Sequence, residues 1–173
     1  MENPAVRHVA VDIETTGLYP QRGARVIEIG AVAIEGWKCV AEFESLINCG
    51  KRIPARAQKV HGISTEMLVG QAGPEEALQS FLRFISRSIL VAHNAKFDIK
   101  FLRYELGRLG LGLNNSYVCT MKMSRRCFPH LANHRLESVA QHLFGELSSG
   151  IRLHRALDDA RLTAKVWMEM AKS

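Results

Sequence analysis

The sequence predicts an α/β fold in which one mixed sheet of five strands is flanked by helices. Three segments of strand character follow one another in the first half of the chain, with short connections that are typical of an antiparallel meander. Helical and strand patterns then alternate in the second half, which favours parallel strands with helices between them. The length of 173 residues suits one domain, so we expect a single domain over residues 1–173 with its core between about 8 and 170.

The three strands of the first half differ in pattern. HVAVDI (8–13) is a short apolar run with β-branched residues, and ARVIEIGAVAIEG (24–36) is apolar on both alternate faces, as a central strand is. WKCVAEFESLIN (37–48) alternates apolar and polar residues and predicts a third strand, joined to the second by a turn at Glu35–Gly36. TTGLYPQRG (15–23) contains Gly, Pro and Thr and predicts a loop.

The second half begins with a helix that Pro74 opens, because PEEALQSFLRFISR has apolar residues at helical spacing and two acids in its first turn. ILVAH (89–93) predicts a buried strand, and Asn94 is a candidate cap for a helix over 96–108. A short strand near 116–119 and helices near 120–127, 135–144 and 156–171 complete the prediction.

The composition limits the class of protein. With 23 Lys and Arg against 17 Asp and Glu, the chain carries a formal net charge of +6, which suggests a polyanionic partner. No apolar run reaches the roughly 18 residues of a membrane helix, and the start shows no signal peptide. We therefore expect a cytoplasmic protein that has no membrane partner; the oligomeric state is left open.

The four cysteines form no CxxC pair, so we expect reduced thiols. A zinc site that uses Cys119, Cys127, His130 and His134 is an alternative, although the spacing between the two cysteines is loose for a zinc module.

Two carboxylates end the first predicted strand. Asp12 and Glu14 are two residues apart, so they point to the same face of the strand. Neighbouring carboxylates at the edge of an apolar core repel each other and are costly to ionise. A divalent cation such as Mg²⁺ or Mn²⁺ would offset both costs, whereas a pair of solvated acids at a strand end is the alternative.

Two further acids are candidates for the same site. Asp98 lies in the first turn of a predicted helix, where the helix dipole alone also favours an acid. In the last helix, Asp158 aligns with a charged stripe, whereas Asp159 aligns with Leu162 and Val166 at the edge of the buried face. Asp159 is therefore the residue expected to reach a site above the sheet.

His154 precedes Asp159 by five residues. On one continuous helix that offset would turn the two side chains apart, so they share a site only if His154 lies on a loop before the helix. The segment 150–153 makes such a loop plausible. Imidazole exchanges protons near neutral pH, so the role of His154 would be that of a general base; a structural histidine is the alternative.

Three motifs in order then resemble one family. VAVDIETTGL contains D-x-E-T-T-G, LVAHNAKFDIKFL contains H-N-x-x-F-D, and HRALDDARLTA contains H-x-A-x-x-D. RVIEIGAV, VHGIS and NHRLESVAQHLF add to the likeness. Together they resemble the DnaQ-like (DEDDh) 3′–5′ exonucleases of the ribonuclease-H-like fold, a group that includes the epsilon subunit of bacterial DNA polymerase III and the exonuclease domain of PolC.

The resemblance implies a role for each matching position. The four metal-binding carboxylates would be Asp12, Glu14, Asp98 and Asp159, with His154 as the base. Residues in contact with the terminal nucleotide or lining its pocket would be Thr15, Thr16, Gly17, Leu18, His61, Asn94 and Phe97. Phe97 could equally pack on Phe101 in the core, and Glu28, in EIG, is interpreted as structural.

The resemblance also implies a reaction. A 3′–5′ exonuclease with two Mg²⁺ or Mn²⁺ ions would hydrolyse the terminal phosphodiester of single-stranded or frayed ends and release nucleoside 5′-monophosphates. Oligoribonucleases tend to have Met in place of the first Thr of the opening motif, so Thr15 favours DNA over RNA. A DNA polymerase is a candidate partner. An RNA-trimming exonuclease and a non-catalytic module that binds nucleic-acid ends or a polymerase remain alternatives.

Overall fold

The computed structural model describes residues 6–145 and 154–172. The strands are β1 His8–Thr15, β2 Val26–Glu35, β3 Lys38–Leu46, β4 Ile89–Ala92 and β5 Tyr117–Cys119. The helices are α1 Ala55–His61, α2 Pro74–Ile85, α3 Lys96–Arg108, α4 Thr120–Cys127, α5 Leu136–Phe144 and α6 Ala156–Lys172. Single 3₁₀ turns occupy Pro20–Arg22 and Glu66–Leu68.

The five strands form one sheet in the order β3-β2-β1-β4-β5. β3, β2 and β1 are antiparallel neighbours, whereas β1, β4 and β5 run parallel. The predicted mixed sheet, with a three-strand meander and parallel strands, is therefore confirmed.

Helices cover both faces of the sheet. One face packs α2 and α3 against β1 and β2, and its largest fully buried side chains include Phe81 and Phe101. The other face carries α6, whose Ala160, Ala164 and Trp167 lie on the even-numbered side of β1. α5 packs in turn on α6. Asp12 is also at an even position of β1, so it points toward the α6 side.

Three local predictions need correction. Asn94 does not cap α3: the N-cap is Ala95, the Asn94 backbone is left-handed with φ of 59°, and only its carbonyl accepts the Phe97 amide. The β2–β3 turn consists of Gly36 and Trp37, both with positive φ, as a two-residue hairpin requires. The loop predicted over 15–23 begins at Thr16 in the structure, one residue later than predicted, because Thr15 still pairs with β2.

α1 was not predicted. Its sequence, ARAQKVH, forms a helix of seven residues with only His61 buried, so it has no apolar stripe that helical periodicity could reveal. The predicted segment 150–153 before α6 lies outside the described residues. Within the described ranges, no helix is both long and apolar enough to cross a membrane.

Candidate active site

Three chain segments meet at one edge of the sheet. The parallel strands β1 and β4 both end there. β1 supplies Asp12 and Glu14. After β4 the chain turns into α3, whose first turn carries Asp98. The first turn of α6 carries Asp159. This convergence follows from the topology, because parallel strands place their carboxyl ends at the same edge.

Asp159 and His154 share a short connection at the start of α6. The His154 backbone N–H donates to Asp159 Oδ2 at 3.1 Å, and His154 has φ of 65° outside the helix. The expectation that His154 precedes the helix, on the same side as Asp159, is therefore confirmed. Ligand atoms of Glu14, His154 and Asp159 all lie within 4.8 Å of one another.

Burial raises the pKa values of all four acids, and repulsion within the cluster adds to this for Asp12 and Glu14. For Asp12, burial and then the charges of Asp98 and Asp159 hold the pKa well above its usual range. Burial, reinforced by Asp159, raises the pKa of Glu14 to about 8. Burial likewise raises the pKa of Asp98 to about 8 and that of Asp159 to about 6. The free energy of this cluster falls when a positive charge is added.

The donor set fits a divalent cation. Asp159 Oδ1 is buried and has no hydrogen-bond partner within the described ranges. A buried carboxylate oxygen without a donor is costly, and hard cations prefer such oxygens as ligands. The chemistry of Asp12, Glu14, Asp98 and Asp159 therefore suits Mg²⁺ or Mn²⁺.

The start of α6 is fixed to the middle of the sheet. Glu28 on β2 is fully buried, and it accepts hydrogen bonds from the Arg155 guanidinium at 2.6 Å and from the Ala156 amide at 2.9 Å. Gly30 lies opposite Asp12 in the sheet, and a methyl group at this glycine would overlap the backbone of Ala156. Glu28 therefore has the structural role expected of it, and that role is to hold the segment that carries His154 and Asp159.

Asp158 faces away from the cluster. Its carboxylate binds Arg161 at 2.9 Å, and Arg161 also binds Glu42 at 2.6 Å on the exposed side of the helix. The structure thus places Asp159, as expected, and not Asp158 beside the other acids.

A cavity of about 420 Å³ opens beside Asp12 and Asp159; we call it the catalytic cavity. Its lining includes Asp12, Asn94, His154 and Asp159. Further lining residues, which the sequence did not predict, come from the α4–α5 region and the end of β4: His93, Met121, Arg125, His134, Arg135, Leu136 and Glu137. The stretch NHRLES indicated that this region matters, because it is one of the segments that resemble the exonuclease family. Its spacing does not show which of its side chains face the site.

Hydrogen bonds hold this wall in place. His93 bonds to Thr120 Oγ1 at 2.9 Å and to the His134 carbonyl at 2.8 Å, and His134 Nδ1 bonds to Ser124 at 3.0 Å. Burial lowers the pKa of His93. The loop before α5 is thereby tied to the end of β4.

A second cavity of about 460 Å³ lies beside Glu14; we call it the Leu18 cavity. Five of the predicted nucleotide-contacting residues line it, namely Thr15, Gly17, Leu18, His61 and Phe97. Arg56, Ala57 and Val60 from α1 complete its wall and were missed because α1 was not predicted. Leu18 is 61% exposed at its mouth.

Two predicted contact residues lie elsewhere. Asn94 lines the catalytic cavity instead. Thr16 is buried, and its amide and hydroxyl are both bonded to the Arg25 backbone at 2.9 Å, so it braces the loop. Phe97 lines the Leu18 cavity and also packs on Phe101, with ring centroids 4.9 Å apart.

His61 is a buried side chain in the wall of the Leu18 cavity. Its Nδ1 accepts the Ile63 amide at 3.0 Å, which places the proton of the neutral ring on Nε2. His61 Nε2 is buried without a partner in the described part of the chain. Burial lowers the pKa of His61, which favours this neutral form.

The alternative zinc site is not supported. Cys119 is buried, Cys127 is exposed, and the described residues do not bring these cysteines together with His130 and His134 as a ligand cluster. All four cysteines are free thiols, as expected.

Sequence comparison identifies a family and two relatives that this chain resembles. A sequence model described as Exonuclease (RNase_T) matches residues 9–167. The chain is 38% identical to DNA polymerase III subunit epsilon of Aquifex aeolicus, over 94% of this chain and 79% of that protein. It is 40% identical to the PolC-type DNA polymerase III of Thermotoga maritima, over 95% of this chain but only 12% of that much longer protein.

Solved structures share the fold. Exonuclease X in complex with 5′-overhanging duplex DNA superposes with a TM-score of 0.77 at 25% identity and covers 95% of this chain and 91% of its own. A zinc-bound complex of Escherichia coli exonuclease I with single-stranded DNA gives a TM-score of 0.83 at 16% identity, over 97% of this chain and 41% of that one. The ribonuclease-H-like fold is confirmed.

Proposed function

The chain belongs to the RNase_T exonuclease family and is a 3′–5′ exonuclease, and on that basis we propose its substrate and mechanism. It removes nucleotides from single-stranded or frayed 3′ ends of DNA and releases nucleoside 5′-monophosphates, in proofreading or repair. The observation that carries this proposal is the convergence of Asp12, Glu14, Asp98 and Asp159 beside His154 and a nucleotide-sized cavity.

The family is metal-dependent, and we propose two Mg²⁺ or Mn²⁺ ions for this site. Asp12, Glu14, Asp98 and Asp159 would hold them, and Asp12 is the central acid because the charges of the other three all act on it. Such ions, when bound, activate a water and stabilise charge on the phosphate and the leaving oxygen.

His154 accepts the proton of the attacking water at an imidazole nitrogen. It lies in the catalytic cavity with half of its side chain exposed, so its ring can meet both water and substrate. Fixation of the neighbouring Arg155 by Glu28 keeps the His154 backbone beside Asp159.

The Leu18 cavity accommodates the terminal nucleoside. The amides of Gly17 and Leu18 have no acceptor within the described ranges, and they are available to the terminal sugar. Leu18 contacts the last base as an apolar wedge, and His61 lies in the wall of the same cavity. Apolar contact of this kind tolerates any base, and unpairing costs a few kcal/mol, so frayed ends are preferred.

We also propose a preferred nucleic acid, a partner and a location. DNA is favoured over RNA by Thr15 and by the DNA in the complexes of exonucleases X and I. A polymerase partner is suggested by two relatives. One is the epsilon subunit of DNA polymerase III, and the other is a PolC-type DNA polymerase III. Cytoplasmic location stays a prediction.

The test is degradation of 3′-terminal DNA. Labelled single-stranded DNA is incubated with Mn²⁺ or with EDTA, and matched arms contain duplex DNA and RNA. We expect stepwise shortening to 5′-mononucleotides only with metal, fastest on single-stranded DNA. Binding without shortening would instead support the non-catalytic module, and faster cleavage of RNA would identify an exoribonuclease.

A further inference from the structure

A basic stripe runs along α3, outside both cavities described above. Lys96, Lys100 and Arg103 are exposed, and their spacing of four and three residues places them on one face of the helix. The stripe starts two residues before Asp98 and extends about 10 Å along the helix away from the carboxylates. It therefore begins at the rim of the active site.

The stripe keeps its positive charge unneutralised. Arg25, Arg155 and Arg161 each bind a carboxylate at 2.6–2.7 Å. By contrast, in the described part of the chain none of the three α3 cations is within ion-pair distance of an acid. Unpaired cations on one helical face attract a polyanion.

Aromatic rings flank these cations in a groove of about 360 Å³ between α3 and the edge strand β5. Tyr104 is 40% exposed and Tyr117 is 38% exposed, and Ile99 contributes to the lining. The Arg108 guanidinium lies 5.2 Å from the Tyr104 ring centroid, which stiffens that ring. Cations that alternate with exposed rings are typical of surfaces that bind single-stranded nucleic acid.

We propose that this α3 groove binds the unpaired strand upstream of the 3′ terminus that occupies the active site. Lys96, Lys100 and Arg103 contact successive phosphates, and Tyr104 and Tyr117 stack on bases. The strand is single because bases in a duplex keep their faces stacked on one another and cannot stack on the tyrosines. The proposal rests on the proposed function, since it needs a nucleic-acid substrate in the catalytic cavity.

The test compares a long and a minimal substrate. The variant Lys100→Ala/Arg103→Ala is assayed on an oligothymidylate of about 16 nucleotides and on the p-nitrophenyl ester of thymidine 5′-monophosphate, which is too short to reach the groove. We expect kcat/KM on the oligonucleotide to fall roughly ten-fold and its logarithmic salt slope to fall by about 1.4, because two phosphate contacts are lost. Turnover of the ester should stay close to wild type.

The matched control is Arg87→Ala/Lys165→Ala. It also removes two exposed cations, but at the opposite end of the sheet, before the start of β4 and close to Cys39. This control should cleave the oligonucleotide like wild type. A second variant, Tyr104→Ala/Tyr117→Ala, should weaken oligonucleotide cleavage without changing the salt slope, since stacking is uncharged.

Two results would overturn the proposal that the α3 groove binds the upstream strand. The first is a groove variant that matches the control on the oligonucleotide, and the second is an equal loss on both substrates. A wild-type protein that cleaves neither substrate with Mn²⁺ would instead overturn the proposed function, so the two failures are distinguishable.

Discussion

Adjacent acids at the start of α6 meet different surroundings. Asp158 is ion-paired with Arg161 on the exposed side, whereas Asp159 is buried with one oxygen unpartnered beside Glu14. Burial raises the pKa of Asp159 to about 6, although the hydrogen bond from the His154 amide opposes this shift. The environment, more than the residue type, therefore decides which acid can hold a cation.

Asp159→Ala should abolish metal-dependent nucleotide release, because it removes a ligand, whereas Asp158→Ala should retain activity near wild type. Single-turnover rates on labelled single-stranded DNA measure both, with the thermal midpoint as the folding control. An inactive but folded Asp158→Ala would contradict the assignment of Asp159, and not Asp158, to the metal-binding acids.

His154→Ala should reduce the rate by roughly 10²–10⁴-fold, the usual range for a general base, and leave Mn²⁺ affinity nearly unchanged. Rates and calorimetric titration with Mn²⁺ are measured on the same preparation. Loss of Mn²⁺ affinity in step with activity would make His154 a ligand in place of a base.

Asp98→Asn separates the cost of ionisation from the loss of a ligand. In EDTA, burial holds the pKa of folded Asp98 at about 8 against 3.8 for the exposed carboxyl. Between these values the folded chain keeps a proton that the unfolded chain has released, so wild-type stability falls as pH rises through this window. The thermal midpoint of Asp98→Asn minus that of wild type should therefore increase from pH 5 to pH 8. A pH-independent difference would show that Asp98 ionises freely in the folded protein.

At the scale of elements, α6 is seated directly on β2. The Glu28 carboxylate binds both the Arg155 side chain and the Ala156 amide, and Gly30 lets the helix backbone approach the sheet. His154 and Asp159 therefore depend on residues of a strand more than 120 positions away in sequence.

Gly30→Ala should displace the start of α6 and lower both activity and stability, by about 1–3 kcal/mol as is typical of overpacking. Gly107→Ala is the control, since its methyl would enter open space within α3 and should stabilise by up to about 1 kcal/mol. Thermal midpoints and nucleotide release are measured for both variants. A fully stable and active Gly30→Ala would contradict the seating of α6.

Elements with strong periodicity could be predicted from the sequence, as could the short strands β4 and β5, whereas α1 could not. α2, α3 and α6 each bury a clear stripe, and β1 and β2 are apolar runs. α1 was missed because seven residues with one buried side chain leave no such stripe. Asn94 was misjudged as a cap because asparagine favours both caps and left-handed backbone, and sequence alone does not separate them.

At the scale of the whole molecule, the acids could be predicted but the walls of the site could not. Asp12, Glu14, Asp98 and Asp159 stand in motifs at the ends of elements. Arg125, which lines the catalytic cavity, lies on α4, and its orientation depends on how α4 packs against α6. Such contacts join segments far apart in sequence, and local pattern carries no information about them.

The assembled cluster links metal binding to the stability of the fold. Mn²⁺ at about 100 times its dissociation constant should stabilise the fold by about 2.7 kcal/mol per site, which is roughly 5–11 °C in thermal midpoint. The gain should shrink at pH 5, because Glu14 and Asp98, with pKa values of about 8, must lose protons to bind metal. Differential scanning calorimetry at pH 5 and at pH 8 measures this gain in thermal midpoint. A gain that is larger at pH 5 than at pH 8 would contradict the linkage.

The central claim is that carboxylates from distant segments jointly hold divalent cations at the end of β1. Anomalous diffraction at the manganese edge, from crystals soaked in Mn²⁺ and thymidine 5′-monophosphate, tests this claim most directly. We predict anomalous peaks bounded by oxygens of Asp12, Glu14, Asp98 and Asp159, with the nucleoside in the Leu18 cavity. Well-ordered carboxylates without any manganese peak among them would contradict the account.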